Sequence, residues 1–336
     1  MTARGAALVA RQEIRTRLRT GRWRVLLAVW FAVVNGLALL FRLALEADST
    51  SRYGSPGVPM FGGVLLAVLV LTLLITPALS AQSINGDRER GTLATLQVTP
   101  LAPGDIAFGK LAASWGTGLV VLALTLPSLL WPVVEGAIGP LRAVTVLLVT
   151  ALLIGVVCAV SQGWSALLAR SITSVLMSYL TVFALIVGTP LLFTIAVPFT
   201  TERQASGYDR DRTDRVWWLL APNPVVILAD AAPSLPKRRV VIVDGSAGYS
   251  GTYDDDSRAY YESPPNDPLG TISRGVRKLR TDDGHYRPYR SRRSDGPPVW
   301  PFGLAFDLIL GAGAVWISAS RLRTPLYRVP KGVRIA

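Results

Sequence analysis

Apolar residues fall in long unbroken blocks along this chain, with the polar residues gathered in the intervals between them. Six blocks approach or exceed the about 20 residues that a helix needs to cross about 30 Å of hydrocarbon. They run over roughly 25–45, 61–81, 106–133, 141–168, 173–198 and 300–320. No water reaches the middle of a bilayer to satisfy exposed backbone groups, so each block is expected to be helical. The pattern predicts an all-α polytopic membrane protein with six transmembrane helices.

Each interval predicts its own element. Residues 5–23 read as a basic helix with Ala7, Ala10, Ile14 and Leu18 three or four apart. Such an N-terminal amphipathic helix lies in the interface with its arginines turned to head groups; an unstructured basic topology signal is the alternative. Residues 46–60 read as a turn-rich loop, with tight turns at 135–140 and 170–171. Pro77 and Pro190 are expected to kink the second and fifth spans. The segment 199–299 is hydrophilic, apart from an apolar stretch at 216–228. That stretch holds Trp217 and Trp218, is too short to span, and is broken by Pro222 and Pro224, so it reads as an interfacial or re-entrant helix pair. Residues 237–244 read as one short strand. The remainder of the segment, including 254–256, 263–265 and 291–294, is rich in proline and charge and reads as partly disordered.

Composition agrees with the blocks: 50% of the 336 residues are hydrophobic and only 17% charged, against about 25% charged in soluble domains. The net charge of +13 suggests nucleic acid until its distribution is considered. The first 24 residues hold seven arginines against Glu13, and the last 16 hold Arg321, Arg323, Arg328, Lys331 and Arg334 with no acid. The two tails thus carry eleven of the thirteen excess charges. Basic tails stay in the cytoplasm, and an even number of spans puts both termini there. The 199–299 segment, with sixteen basic and fourteen acidic residues, is then extracellular. The resulting organisation is a basic interfacial helix at 1–24, five spans within 25–198, the outer segment at 199–299, the last span at 300–320 and a tail at 321–336. The first span lacks a small-residue cleavage site and is not expected to be a signal peptide. With one cysteine (Cys158) and one histidine (His285), neither a disulfide within the chain nor a zinc ligand set is available.

The richest interval is 82–105. Ser83 to Arg90, with the charges of Asp87-Arg88-Glu89-Arg90, reads as a charged helical extension of the second span that Gly91 can end. Thr92 can then cap a short helix carrying Leu93, Leu96 and Gln97, stopped at Thr99-Pro100. Pro103 and Asp105 suit the start of the third span. That short helix would present Leu93, Leu96 and Val98 to a partner groove. Residues 104–111 match most of a phosphate-binding GxxxxGK[ST] pattern, but they lack the final Ser/Thr and follow no strand, so nucleotide binding is not expected there.

The run Asp87-Arg88-Glu89-Arg90-Gly91-Thr92-Leu93-Ala94-Thr95-Leu96-Gln97-Val98-Thr99-Pro100-Leu101, followed by Gly109-Lys110-Leu111, resembles the ATP-binding-cassette transporter permeases of the type-2 exporter family. The similarity extends to the six spans, both cytoplasmic termini, the N-terminal interfacial helix and the extracellular segment before the last span, although that segment is longer than is usual in the family. The resemblance implies a permease subunit that is not itself an enzyme. It would pair with a second permease subunit, identical or homologous, and with two copies of an ABC ATPase subunit. It would bind no cofactor directly, ATP and Mg belonging to the ATPase. It also implies a bacterial plasma membrane and makes 82–105 the ATPase-coupling segment, with Asp87, Arg88, Glu89, Arg90, Gly91, Thr92, Leu93, Leu96, Thr99 and Pro100 as its site residues.

Polar residues within spans are candidates for a translocation path, because burying them in lipid is costly. Asn35, Gln162, Tyr179, Thr181 and Asp307 meet that description. Asn35 and Gln162 are equally suited to bonding helices together. Arg42 and Asp307 read as outer-interface residues or as a mutual ion pair. No paired carboxylates, histidine cluster or nucleophile–base set points to an intramembrane enzyme. A membrane sensor or scaffold whose extracellular segment binds a ligand or partner is the alternative to transport.

Overall fold

The computed structural model describes residues 2–19, 21–47, 56–93, 99, 101–203, 209–236, 238–241, 259–262, 266–281 and 296–323. Among these, six helices are long and apolar enough to cross a membrane: Trp23–Ala47, Gly57–Glu89, Pro103–Ala123, Pro140–Leu167, Ser171–Thr200 and Trp300–Arg321. Large apolar side chains such as Val29, Leu40, Leu148, Leu180 and Ile309 stay on the outside of the bundle. An apolar exterior of that extent suits hydrocarbon rather than water, the character of a multi-pass membrane protein.

In chain order the helices are α1 (Ala3–Arg19), α2 (Gly21–Ala47), α3 (Gly57–Ser80), α4 (Asn85–Glu89), α5 (Pro103–Ala123), α6 (Leu126–Val134) and α7 (Pro140–Leu167). Then come α8 (Ser171–Phe183), α9 (Thr189–Ala196), α10 (Pro224–Ala231), α11 (Pro268–Thr281) and α12 (Trp300–Arg321). Two short antiparallel pairs lie between them, Thr201–Arg203 with Asp209–Asp211 and Arg238–Val241 with Ala259–Glu262. The second pair includes the strand expected at 237–244. Helix α7 is central and packs on α3, α5, α8 and α12. Small residues set the approach: Ala314 of α12 lies 2.9 Å from where a side chain on Gly163 would begin. Cys158 is buried in this core, where it packs as a small apolar side chain.

Several expectations need correction. The third block is not one helix to 133. It breaks after Ala123, and α6 starts again with Pro127 in its first turn, where a missing N–H costs nothing. The carbonyls exposed there are taken up by α2, with Trp30 Nε1 donating to Val121 O (3.1 Å) and Asn35 Nδ2 to Leu124 O (3.0 Å). At Pro190 the fifth span passes through a π-helical turn at Ala184–Gly188. Pro190 has no N–H for the Ile186 carbonyl, and Asn223 Nδ2 donates to it instead (3.0 Å). Residues 216–228, expected as an interfacial or re-entrant helix pair, are two unequal helical pieces. They form a 3₁₀ turn at Trp217–Leu219 and then α10, whose Ile227 and Leu228 are fully buried against the bundle end. The charged remainder of 199–299 includes a helix, α11, which composition alone did not suggest; 254–256, 263–265 and 291–294 lie outside the described residues. Arg42 does not meet Asp307: it pairs with Glu46 (2.8 Å) and Glu135 (2.7 Å) and lies over the Trp131 ring.

Helix α1 forms where the basic periodicity placed it, with Gly5 and Val9 buried and Ala10, Glu13 and Ile14 half-buried. Ala7 is exposed, and the Leu18 side chain lies outside the described residues. The reason is Gly109 on α5. A Cβ there would stand 2.6 Å from Val9 Cβ and 2.7 Å from Ala6 O, so the two helices cross at a contact that only glycine permits.

Candidate functional site

The polar segment after α3 is tied to its own bundle residue by residue. Ser80 Oγ donates to Cys158 O (2.7 Å), and Ser174 Oγ donates to Ala81 O (2.7 Å). Ser165 Oγ on α7 accepts from Ile84 N (3.1 Å) and Asn85 N (3.0 Å), satisfying donors at the start of α4. Asp87 pairs with Lys110 of α5, whose side chain is only 2% exposed, and Glu13 of α1 lies 3.9 Å from the same ammonium. A lone buried ion would cost several kcal/mol, so Lys110 is tenable here only in company. Arg88 Nη1 donates to Asn85 Oδ1 (3.0 Å) and approaches Leu168 O at the end of α7 (3.5 Å). Glu89 Oε1 accepts from Ser171 N (3.2 Å), one of the donors left open at the start of α8.

Gly91 ends α4 with a φ of +70°, the left-handed geometry that glycine adopts at helix ends. Arg90 stays largely exposed while reaching Asp87 (3.2 Å), and Thr92 Oγ1 donates to Asp87 O (3.3 Å). Thr92 and Leu93 are helical; Leu96 and Pro100 lie outside the described residues, and Thr99 is an exposed bend. Leu93 is not offered to a partner. It is 6% exposed and packs with Ile84, Ile106, Ala107, Ala166 and Leu322, because the turn at Gly91 folds it back against the bundle. The exposed edge is therefore Glu89 to Thr92. At the start of α5, Asp105 Oδ2 accepts from Ala102 N (3.2 Å) and Oδ1 from Thr2 N (2.8 Å), so one carboxylate caps α5 and holds the chain start.

Lys110, at the end of the phosphate-loop-like stretch, points into the bundle at Asp87 from within a continuous helix. Its role was missed in the sequence. The available signal was an acid at the end of one span and a lysine at the same level of the next.

The candidate path residues occupy separate helix contacts. Asn35 bonds α2 to the α5–α6 break, and Gln162 Nε2 donates to Ala107 O (2.9 Å), joining α7 to α5. Thr181 Oγ1 accepts from Trp164 Nε1 (3.0 Å), joining α8 to α7, and Tyr179 is half-buried on α8. Asp307 is buried on the packed face of α12, and its Oδ1 has no partner among the described residues. The chain matches no protein-family model and no curated protein.

Proposed function

We propose that this chain is the transmembrane permease subunit of an ATP-driven ABC exporter in a bacterial plasma membrane. It moves its substrate by alternating access while a separate ATPase hydrolyses ATP. The observation that carries this reading is that consecutive residues of one short segment hold different spans: Asp87 holds α5, Arg88 reaches α7 and Glu89 holds α8. Their exposed neighbours Arg90, Gly91 and Thr92 form a surface on which a partner can push. A displacement there reaches three helices at once. The basic tails support a cytoplasmic position for both termini and for this edge, and an extracellular one for 199–299. ATP and Mg act on the ATPase, present in two copies beside a second permease subunit.

The test is the double variant Arg90→Glu with Thr92→Glu. The expected result is loss of ATPase copurification and of substrate-stimulated hydrolysis, with membrane insertion and elution unchanged. Full association and stimulation would rule the coupling surface out. Leu93→Asp serves as a folding control, since that side chain lies in the bundle's own core. A ligand-binding sensor or scaffold is the second reading, favoured by the way α10 and α11 fold onto the bundle end. It requires no ATPase, so the same copurification separates the two.

A further inference from the structure

At the end of the bundle opposite Lys110, residues from α7, α10, α11 and α12 enclose a polar cavity of about 210 Å³. Arg142, Arg274 and Arg277 line it together with Asp230 and Asp267. The carboxylates are already committed. Asp230 Oδ1 accepts from Ser273 Oγ (2.8 Å) and Arg277 Nε (2.5 Å), and its Oδ2 accepts from Val299 N (2.6 Å) and Trp300 N (2.8 Å) at the start of α12. Both oxygens of Asp267 accept from Arg142 Nη2, at 2.8 and 3.1 Å.

Donors remain. Arg142 is 4% exposed, with Nη1 donating to Pro233 O (3.0 Å). Its buried Nε has no acceptor among the described residues. A buried donor without a partner is costly, and a ligand oxygen would remove that cost. Arg274 is half-buried and donates only to Thr271 Oγ1 (3.3 Å), with no ion pair among the described residues. Among the described residues lining the cavity, three guanidinium groups face two carboxylates, so Arg274 has no carboxylate of its own there, donors remain unspent, and each carboxylate oxygen already accepts a bond. A wall with that surplus receives an oxyanion, and the guanidinium fork matches phosphate geometry.

The volume sets a limit on the ligand. It lies below the about 300–1,000 Å³ of pockets that enclose a whole small organic molecule. Trp300, which lines the cavity, opens a membrane-crossing helix, a position where tryptophan sits at head-group level. We propose that this cavity binds a phosphate group through Arg142 and Arg274, whether as free phosphate or as the phosphate end of an amphiphile whose apolar part stays outside.

The full chain in detergent is titrated with inorganic phosphate, with dihexanoyl phosphatidic acid, and with dihexanoylglycerol as the phosphate-free control. Binding is read by calorimetry and by the shift in unfolding temperature. Saturable binding of a phosphate-bearing probe is expected, weakened about tenfold or more in Arg274→Gln through loss of a charge-assisted bond. Arg142→Lys, which keeps the charge facing Asp267 but removes the Nε donor, should weaken it as well. Binding of inorganic phosphate identifies the free ion as sufficient; binding of phosphatidic acid alone identifies a lipid head group, and either supports the site. The inference is overturned if neither phosphate probe saturates, if dihexanoylglycerol binds as well as phosphatidic acid, or if a normally eluting Arg274→Gln binds like the parent chain.

Discussion

Lys110 shows how a single charged side chain is kept inside an apolar bundle: Asp87 meets it directly and Glu13 stands behind. Removing one partner leaves the other charge buried alone, which typically costs about 3–5 kcal/mol, whereas replacing both by neutral groups is often tolerated. Asp87→Asn and Lys110→Met are therefore expected to lower the unfolding temperature strongly one at a time. The double variant should recover most of the loss, and a double-mutant cycle in detergent measures that coupling. Asparagine solves a related problem for uncharged groups. Asn223 caps α10 through Val225 N (2.8 Å) while its amide nitrogen serves the carbonyl that Pro190 leaves open. Its place before Pro224 announces a helix start, but nothing in the local sequence says that the same side chain holds the fifth span.

Between elements, glycine sets how closely helices approach. A Cβ on Gly303 would collide with the Ala221 carbonyl at the turn before α10, and one on Gly109 would collide with α1. Gly109→Val and Gly303→Val should each destabilise the bundle by about 1–3 kcal/mol or more, the cost of overpacking a filled contact. Gly116, on the same helix as Gly109, has nothing within 4 Å of its would-be Cβ. Gly116→Ala should be neutral or stabilise by up to about 1 kcal/mol, from helix propensity alone. Thermal unfolding of the three variants in one detergent checks the order. Helix α11 follows the same logic of contact. It buries Leu269 and Val276 against the bundle end and turns Lys278 outward. That periodicity was present in the sequence, but it was masked by the proline and charge on either side.

Across the whole molecule, a mostly apolar waist joins two polar ends that are built differently. One end is the Asp87–Lys110 knot. The other carries a clasp in which Arg212 bonds both Asp214 (3.0 Å) and Glu202 (2.9 Å), close to the turn holding Trp217 and Trp218. Hydrogen bonds from Arg212 hold both carboxyls below their ordinary range. For groups depressed in this way, the contribution to folding is fully present above the unfolded carboxylate pKa. It is lost as pH falls through the lower folded values. Tryptophan fluorescence should thus be flat at neutral pH and change only below about pH 4, and Arg212→Gln should reduce that step, leaving the part that comes from Trp131, whose Nε1 donates to Glu135 (2.7 Å). The sequence by itself determined the six spans, because an unbroken apolar run of twenty residues has only one way to satisfy its backbone in hydrocarbon. It also determined the stop at Gly91, a local matter of backbone geometry. Only the tertiary structure decided that Leu93 turns inward, that α1 docks by its glycine face, and which carboxylate each arginine meets. Those outcomes depend on which helices become neighbours, and a side chain's partner across the bundle leaves no mark on the periodicity of its own helix.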